Sequence, residues 1–151
     1  VHALADVLLR DLQSQRVAGA IESRQAVFRD GSAFLYERYR LPLYVTECGL
    51  SCNDHIFLDG QVHDADRIDF LHRYLLALYR GCERADIRGF FHWSLTDNFE
   101  WHSGYAERFG LIYVDYPTQK RILKDSARWY AQTVRENGKS LQRLISAAQT
   151  H

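Results

Sequence analysis

Apolar patterns typical of strands and of helices alternate along this chain, and this alternation restricts its fold most. Residues 43–46, Leu-Tyr-Val-Thr, form the short β-branched run of a buried strand, and residues 87–94 predict a second strand. Between them, apolar residues recur at helical spacing, at Ile68, Leu71, Leu75 and Leu78. Strand, helix and strand in this order predict an α/β fold whose strands are parallel and joined by a right-handed crossover.

Local signals predict the remaining elements. Asp64 is suited to the N-cap of the central helix, which should end near Gly81, and Asp59-Gly60 predicts a turn before it. We expect four further elements: an amphipathic helix at residues 3–21, a short helix at 33–40, an extended piece at 111–114 followed by a Tyr116-Pro117 turn, and a last helix at about 125–135.

The charge balance excludes several classes of partner. Lys and Arg number 19 against 19 Asp and Glu, so no net field attracts nucleic acid or an anionic membrane surface. No stretch reaches the roughly 20 apolar residues that span a bilayer, and the start has no secretory signal pattern, so we expect a cytoplasmic protein. Aromatic residues make up 13% of the chain, which suits a site for a neutral ligand with apolar faces, although core packing explains the surplus equally well.

The cysteines and the start of the chain lead to two further expectations. Cys48, Cys52 and Cys82 are an odd count in a chain too large to need disulfides, so we expect reduced thiols. No further ligands stand at a spacing that would complete a zinc site, so we expect no metal. Because the sequence contains no Met and begins at Val1, we expect it to be a fragment of a longer protein.

Glu47 is the first candidate for chemistry. It stands at the end of the first predicted strand, in Val45-Thr46-Glu47-Cys48-Gly49. In an α/β barrel, catalytic side chains lie at this end of the strands because the strand fixes them while the following loop varies. A structural role for Glu47, in capping or in pairing with an Arg, is the more common one for a strand-end acid.

The second candidate segment runs from Trp93 to Trp101, Trp-Ser-Leu-Thr-Asp-Asn-Phe-Glu-Trp, and begins in the last two residues of the second predicted strand. Indole rings offer flat apolar faces to the C–H face of a sugar, and a carboxylate such as that of Glu100 accepts hydrogen bonds from hydroxyl groups. For each Trp alone, core packing is an equally good interpretation.

These two segments together resemble glycoside hydrolase family 1, whose members carry an I/V-T-E-N-G segment and a later W-S-L-x-D-N-F-E-W segment. Three further segments match the family in the same order: Asp64-Ala65-Asp66-Arg67-Ile68, residues 108–116 (Arg-Phe-Gly-Leu-Ile-Tyr-Val-Asp-Tyr) and residues 124–130 (Lys-Asp-Ser-Ala-Arg-Trp-Tyr). The resemblance covers about residues 33–130. We therefore divide the chain into a helical segment without family match (1–30), a part of the family barrel (31–137) and a polar tail (138–151).

The resemblance implies a (β/α)8 barrel and retaining β-glycosidase chemistry without a cofactor. Glu47 matches the nucleophile and Trp93 matches the aromatic platform under the sugar. Glu100 and Trp101 match the residues that bind the sugar hydroxyls, and Phe109 matches a residue lining the same pocket. The implied substrates are small β-glycosides or oligosaccharides, and Glu100 would repel a 6-phosphosugar.

Two departures from the family pattern bear on activity. Cys48 stands where the family usually has Asn, either as a tolerated change or as a sign of relaxed function. The N-E-P segment that carries the acid/base carboxylate does not occur in the sequence. Because a full barrel takes about 250 residues, we expect this chain to supply about the last two βα units.

Several hypotheses remain open at this point. The isolated chain should be inactive, and its partner is either the missing N-terminal part of the barrel or another copy of itself. The alternative to an enzyme half is an inactive remnant, or a weak sugar-binding fragment. His92 is expected to be structural and His102 exposed, while Asp64 and Arg67, one helical turn apart, predict a helix-end ion pair.

Overall fold

The computed structural model describes residues 25–141, which fold as two compact units. The first unit combines residues 25–48 with 73–92, and the second combines residues 49–72 with 93–141. The helix expected at residues 3–21 and most of the polar tail lie outside the described residues.

The elements follow one another in nearly the predicted order. A π-helical turn, Val27–Gly31, leads into the first α-helix. The regular elements are α1 (Ser32–Tyr39), β1 (Leu43–Cys48), α2 (Ala65–Gly81), β2 (Ile87–His92), β3 (Ile112–Asp115), β4 (Lys120–Leu123) and α3 (Asp125–Arg135). The helices and strands predicted within residues 25–141 are confirmed, whereas β4 is an additional strand that the local sequence did not predict.

In the first unit, β1 and β2 form a parallel pair, as the sequence predicted. Their register pairs Leu43 with Ile87 and Cys48 with His92, so the two strands end together. Gly89 lies opposite Tyr44, and a Cβ at that position would approach the Tyr44 ring to 2.7 Å. A glycine is therefore needed where the ring crosses β2.

The first unit has a small apolar core, and helix α1 in this unit ends at a left-handed residue. Phe28 and Tyr74 are buried and meet edge to face, with ring centroids 5.0 Å apart. Helix α1 ends because Arg40 adopts a left-handed backbone (φ 52°) and donates its N–H to the Tyr36 carbonyl oxygen at 2.8 Å, just ahead of Pro42.

In the second unit, β3 and β4 form an antiparallel hairpin across the predicted Tyr116-Pro117 turn. Lys124, which follows β4, is completely buried, and α3 starts directly after it. Asp64 contacts both helices, and its carbonyl oxygen accepts the Arg67 N–H at 3.0 Å in the first turn of α2. Its Oδ1 accepts the Ser126 N–H at 2.8 Å, in the first turn of α3.

Candidate functional site

Glu47 lies in the first unit, one residue before the end of β1. Its side chain is half-buried, and the next residue, Cys48, is only 3% exposed. A short, paired strand fixes the backbone at this position, which is what a reacting carboxylate requires. Its role as a nucleophile stays a prediction.

The other four predicted site residues lie in the second unit, where Trp93 and Glu100 are in direct contact. The Trp93 indole N–H donates a hydrogen bond to Glu100 Oε1 at 3.1 Å. Glu100 opens a tight turn, since its N–H donates to the Gly104 carbonyl oxygen at 2.7 Å and its own carbonyl oxygen accepts the Gly104 N–H at 3.0 Å. An indole and a carboxylate are thus held together at the start of a closed loop.

Trp101 and Phe109 occupy different surroundings. The Trp101 side chain is 89% exposed and its backbone is left-handed (φ 23°), so its ring is open to solvent beside the Glu100 turn. Phe109 is half-buried, and its carbonyl oxygen accepts the Ser94 N–H at 3.3 Å. The peptide bond between Trp93 and Ser94 is cis. The roles of both aromatic residues in binding sugar stay predictions.

A buried cluster of charges includes Asp97, in the segment between Trp93 and Glu100, and was not predicted as a functional feature. Three carboxylates and three cations form it: Asp54, Asp64, Asp97, Arg67, Arg108 and Lys124. Arg67 contacts Asp54 at 2.7 Å and also Asp64, which confirms the predicted Asp64–Arg67 ion pair. Burying charges is costly unless they are paired and hydrogen-bonded, and here the opposite charges balance.

Hydrogen bonds and contacts with aromatic rings also hold the two arginines of the cluster. Burial disfavours the charged Arg67 guanidinium, but its hydrogen bond to Asp54 and the nearby negative charges outweigh this effect and raise its pKa. The Arg108 guanidinium carbon lies 4.0 Å from the Tyr113 ring centroid and 4.6 Å from that of Tyr116. Both arginines are therefore held in place by several contacts each.

Apart from Asp64 and Arg67, the partners in this cluster are far apart in sequence, which explains why their contacts were not predicted. Lys124 Nζ lies 2.5 Å from Asp54 Oδ2 and 2.8 Å from Asp97 Oδ1. No local pattern connects positions separated by 70 and 27 residues. The sequence offered one further signal, since five of the six residues, all except Asp54, stand within the quoted motifs.

The three cysteines are free thiols, as expected. Burial raises the pKa of Cys48 to about 12. Burial also raises the pKa of Cys52 to about 11, although the Arg67 charge acts in the opposite direction. Both side chains are therefore protonated and unreactive near neutral pH.

Across residues 25–141, no group of three or more His, Cys, Asp and Glu side chains is arranged to hold a metal ion. In the same part of the chain, no helix is long and apolar enough to cross a bilayer. His102 is exposed, as predicted.

Comparison with known proteins gives consistent matches to one family. Residues 11–139 match the sequence model of glycosyl hydrolase family 1, so the match begins well before the resemblance seen from about residue 33. β-Glucosidase A of Thermotoga maritima is 48% identical over 104 residues, covering 68% of this chain and 23% of the relative. A bifunctional β-D-glucosidase/β-D-fucosidase of Bifidobacterium breve is 52% identical over 102 residues, covering 64% of this chain and 22% of the relative.

Solved structures agree with the sequence comparison. The family 1 β-glucosidase from Thermotoga maritima superposes with a TM-score of 0.73 at 42% identity, covering 76% of this chain and 26% of that structure. The same enzyme in complex with isofagomine lactam gives a TM-score of 0.74. This chain spans about a quarter of the length of these relatives, and its α/β fold matches part of their barrel. It therefore belongs to glycosyl hydrolase family 1.

Proposed function

We propose that this chain supplies the nucleophile and sugar-binding half of the site of a retaining β-glycosidase. The observation that best supports this function is the 3.1 Å hydrogen bond between the Trp93 indole and the Glu100 carboxylate. It holds an aromatic ring and a hydrogen-bond acceptor together, as recognition of a pyranose requires. Membership of family 1 supports the same reaction class.

In the proposed reaction, Glu47 acts in two displacements at the anomeric carbon. A Glu47 oxygen forms a bond to this carbon while the bond to the leaving oxygen breaks, and a second carboxylic acid protonates that oxygen. Water then attacks the same carbon, the ester to Glu47 breaks, and the second carboxylate takes the proton from water. The second group must come from another part of the barrel, because no Asn-Glu-Pro segment occurs among these 151 residues.

The remaining residues are assigned to binding. Trp93 would stack against the sugar, while Glu100 and Trp101 bind its hydroxyl groups and Phe109 lines the pocket. A phosphorylated sugar would place negative charge beside the Glu100 carboxylate, so the proposed substrates are terminal, non-phosphorylated β-D-glycosyl residues. We also propose that β1, β2 and their helices are about the last two βα units of the barrel.

A chimera tests the role of Glu47. Residues 31–137 of this chain would replace the matching region of Thermotoga maritima β-glucosidase A, and hydrolysis of an aryl β-glucoside would be measured. We expect an active chimera whose Glu47→Ala variant loses about four orders of magnitude of turnover while keeping substrate affinity. Because azide fits the space left by the carboxylate, it should restore turnover in this variant and release glycosyl azide of inverted configuration.

The matched control is Glu100→Gln in the same chimera, which removes a charge from the loop but leaves the nucleophile in place. Azide should not change its rate. Azide rescue of this control, or ordinary hydrolysis by the Glu47→Ala chimera, would show that the nucleophile has been misassigned.

The second candidate function is weak sugar binding without turnover, favoured by the missing Asn-Glu-Pro segment. Its test is a titration of the chain with an aryl β-glucoside, followed by tryptophan fluorescence. An inactive chimera combined with saturable fluorescence quenching of the chain would favour this candidate over an enzyme half.

A further inference from the structure

Asp97 lies at the centre of the loop between Trp93 and Glu100, and its buried carboxylate accepts four hydrogen bonds. Oδ1 accepts from the Gly110 N–H at 3.0 Å and from Lys124 Nζ at 2.8 Å. Oδ2 accepts from Arg108 Nη1 at 2.6 Å and from the Val114 N–H at 3.3 Å. Two cations and two backbone amides therefore converge on a single side chain with no exposed surface.

The backbone around Asp97 is packed so closely that it has little freedom to move. The Asp97 N–H donates to the Ile112 carbonyl oxygen at 3.0 Å. A Cβ at Gly110 would lie only 2.2 Å from the Asp97 nitrogen, so this approach requires a glycine. Carboxylate and backbone together attach the loop to the start of the β3–β4 hairpin.

Further hydrogen bonds hold the residues on both sides of Asp97. Ser94 Oγ donates to the Thr96 carbonyl oxygen at 2.8 Å, and Asn98 Oδ1 lies 3.0 Å from the same oxygen. The Tyr116 hydroxyl donates to the Asn98 carbonyl oxygen at 3.2 Å. Residues 94–98 are thus held on both sides of Asp97, and Trp93 and Glu100 flank them.

We infer that Asp97 is a positioning residue, whose negative charge fixes the Trp93 indole against the Glu100 carboxylate. That this contact binds sugar rests on the proposed function. The contact itself is part of the structure and does not depend on that proposal. Replacing Asp97 by Asn keeps the shape of the side chain but leaves Lys124 and Arg108 facing a neutral group that accepts fewer hydrogen bonds. The loop then keeps its backbone hydrogen bonds but loses the charged part of its attachment, and the indole separates from Glu100.

Fluorine NMR of the full chain labelled with fluorotryptophan tests this inference without any substrate. The three tryptophan signals are assigned with single Trp→Phe variants, and Glu100→Ala provides the Trp93 signal of a broken contact. We expect Asp97→Asn to move the Trp93 signal to the Glu100→Ala position. Trp129, which lies in α3 with its ring centroid 6.4 Å from that of His72, should keep its signal and show that the second unit is folded.

Asp54→Asn is the matched control. Asp54 is also buried, at 3% exposure, and it also contacts Lys124 and an arginine, but its contacts do not include residues 93–100. A purely structural effect of losing one buried carboxylate would move the Trp93 signal equally in both variants. We expect Asp54→Asn to leave the Trp93 signal in place, and an equal shift in the two variants would overturn the inference.

A second variant covers the case in which Asp97→Asn unfolds and the Trp129 signal is lost. Asp97→Asn combined with Lys124→Gln restores the charge balance, so it should recover the Trp129 signal while Trp93 stays at the Glu100→Ala position. An unmoved Trp93 signal in a folded Asp97 variant would overturn the inference. Failure of the proposed function would appear separately, as an inactive chimera, and would leave these ligand-free spectra unchanged.

Discussion

At the scale of single residues, Glu100 is held by the Trp93 indole and by its own turn. Its proposed task is to accept hydrogen bonds from sugar hydroxyls, so Gln at this position should weaken transition-state binding by one charged hydrogen bond. We expect transition-state binding in the chimera to weaken by about 1.5 to 3 kcal/mol, so kcat/KM falls by roughly one to two orders of magnitude and real activity remains. Steady-state kinetics with an aryl β-glucoside measures this change.

The size of that loss separates binding from nucleophilic chemistry. A loss in the Glu100→Gln chimera as large as that of Glu47→Ala would contradict the assignment of Glu100 to binding. Replacing exposed His102 by Gln is a suitable control, because the change lies beside the same turn and should leave kcat/KM nearly unchanged.

The burial of Cys48 predicts how slowly its thiol reacts. Burial raises its pKa to about 12, so the folded protein holds far less thiolate at this position than the unfolded chain. Iodoacetamide should therefore label exposed Cys82 first and Cys48 last. Mass spectrometry of peptides measures the order, and equal labelling of all three cysteines in urea serves as the control.

At the scale of elements, His63 joins the loop before α2 to the start of α3. Its Nδ1 lies 2.6 Å from Asp125 and its Nε2 lies 3.0 Å from Asp59, while Arg128 contacts Asp125 at 3.2 Å. The hydrogen bond to Asp125, followed by that to Asp59, raises the pKa of His63 above its ordinary value of 6.5. The folded state therefore binds a proton here more tightly than the unfolded state does.

The sign of the pH effect follows from this raised pKa. The stabilisation is fully present below the unfolded pKa of about 6.5 and disappears as the pH rises through the higher folded pKa. We expect His63→Gln to lower the midpoint of thermal unfolding at about pH 5.5 and to have little effect at about pH 9.

His55→Gln is the control, because the His55 ring nitrogen faces the Asn53 carbonyl oxygen at 3.4 Å instead of a carboxylate. Any change in the unfolding midpoint that His55→Gln also shows does not arise from the carboxylate contacts of His63. An equal effect of His63→Gln at both pH values would contradict the proposed charge-based link between the loop and α3.

The elements differ in how far local sequence predicted them. The pattern of α2 was strong enough to predict the helix because Leu71 and Leu78 fall on one buried face. Strand β4 was missed because Lys120-Arg121-Ile122-Leu123 begins with two charges and has three exposed residues. Its backbone becomes extended through pairing with β3, and that partner does not show in the composition of β4 itself.

At the scale of the whole molecule, we expect the isolated 151-residue chain to have no β-glucosidase activity. Its sequence holds the proposed nucleophile but not the Asn-Glu-Pro carboxylate that would protonate the leaving oxygen. Within residues 25–141, β1 pairs only with β2, and large apolar side chains on these strands are exposed, including Phe91 at 58% and Tyr44 at 49%. Open strand edges and apolar surface should therefore also cause self-association.

An aryl glucoside assay and analytical ultracentrifugation measure these two properties. Turnover by the purified chain that disappears in Glu47→Gln would contradict the expected inactivity. A monodisperse monomer that unfolds cooperatively would contradict the idea that β1 and β2 need further strands.

The order of the elements, the parallel β1–β2 pair and the family could be predicted without the structure, because these depend on local periodicity and on ordered motifs. The sequence also selected Glu47, Trp93, Glu100, Trp101 and Phe109, and the family match supports the reaction class without testing these roles. The tertiary structure alone decided that Trp93 contacts Glu100, and that Asp54, Asp97 and Lys124 meet in one buried cluster. The physical reason is that an ion pair between distant positions depends on how the chain brings them together, and no short stretch of sequence carries that information.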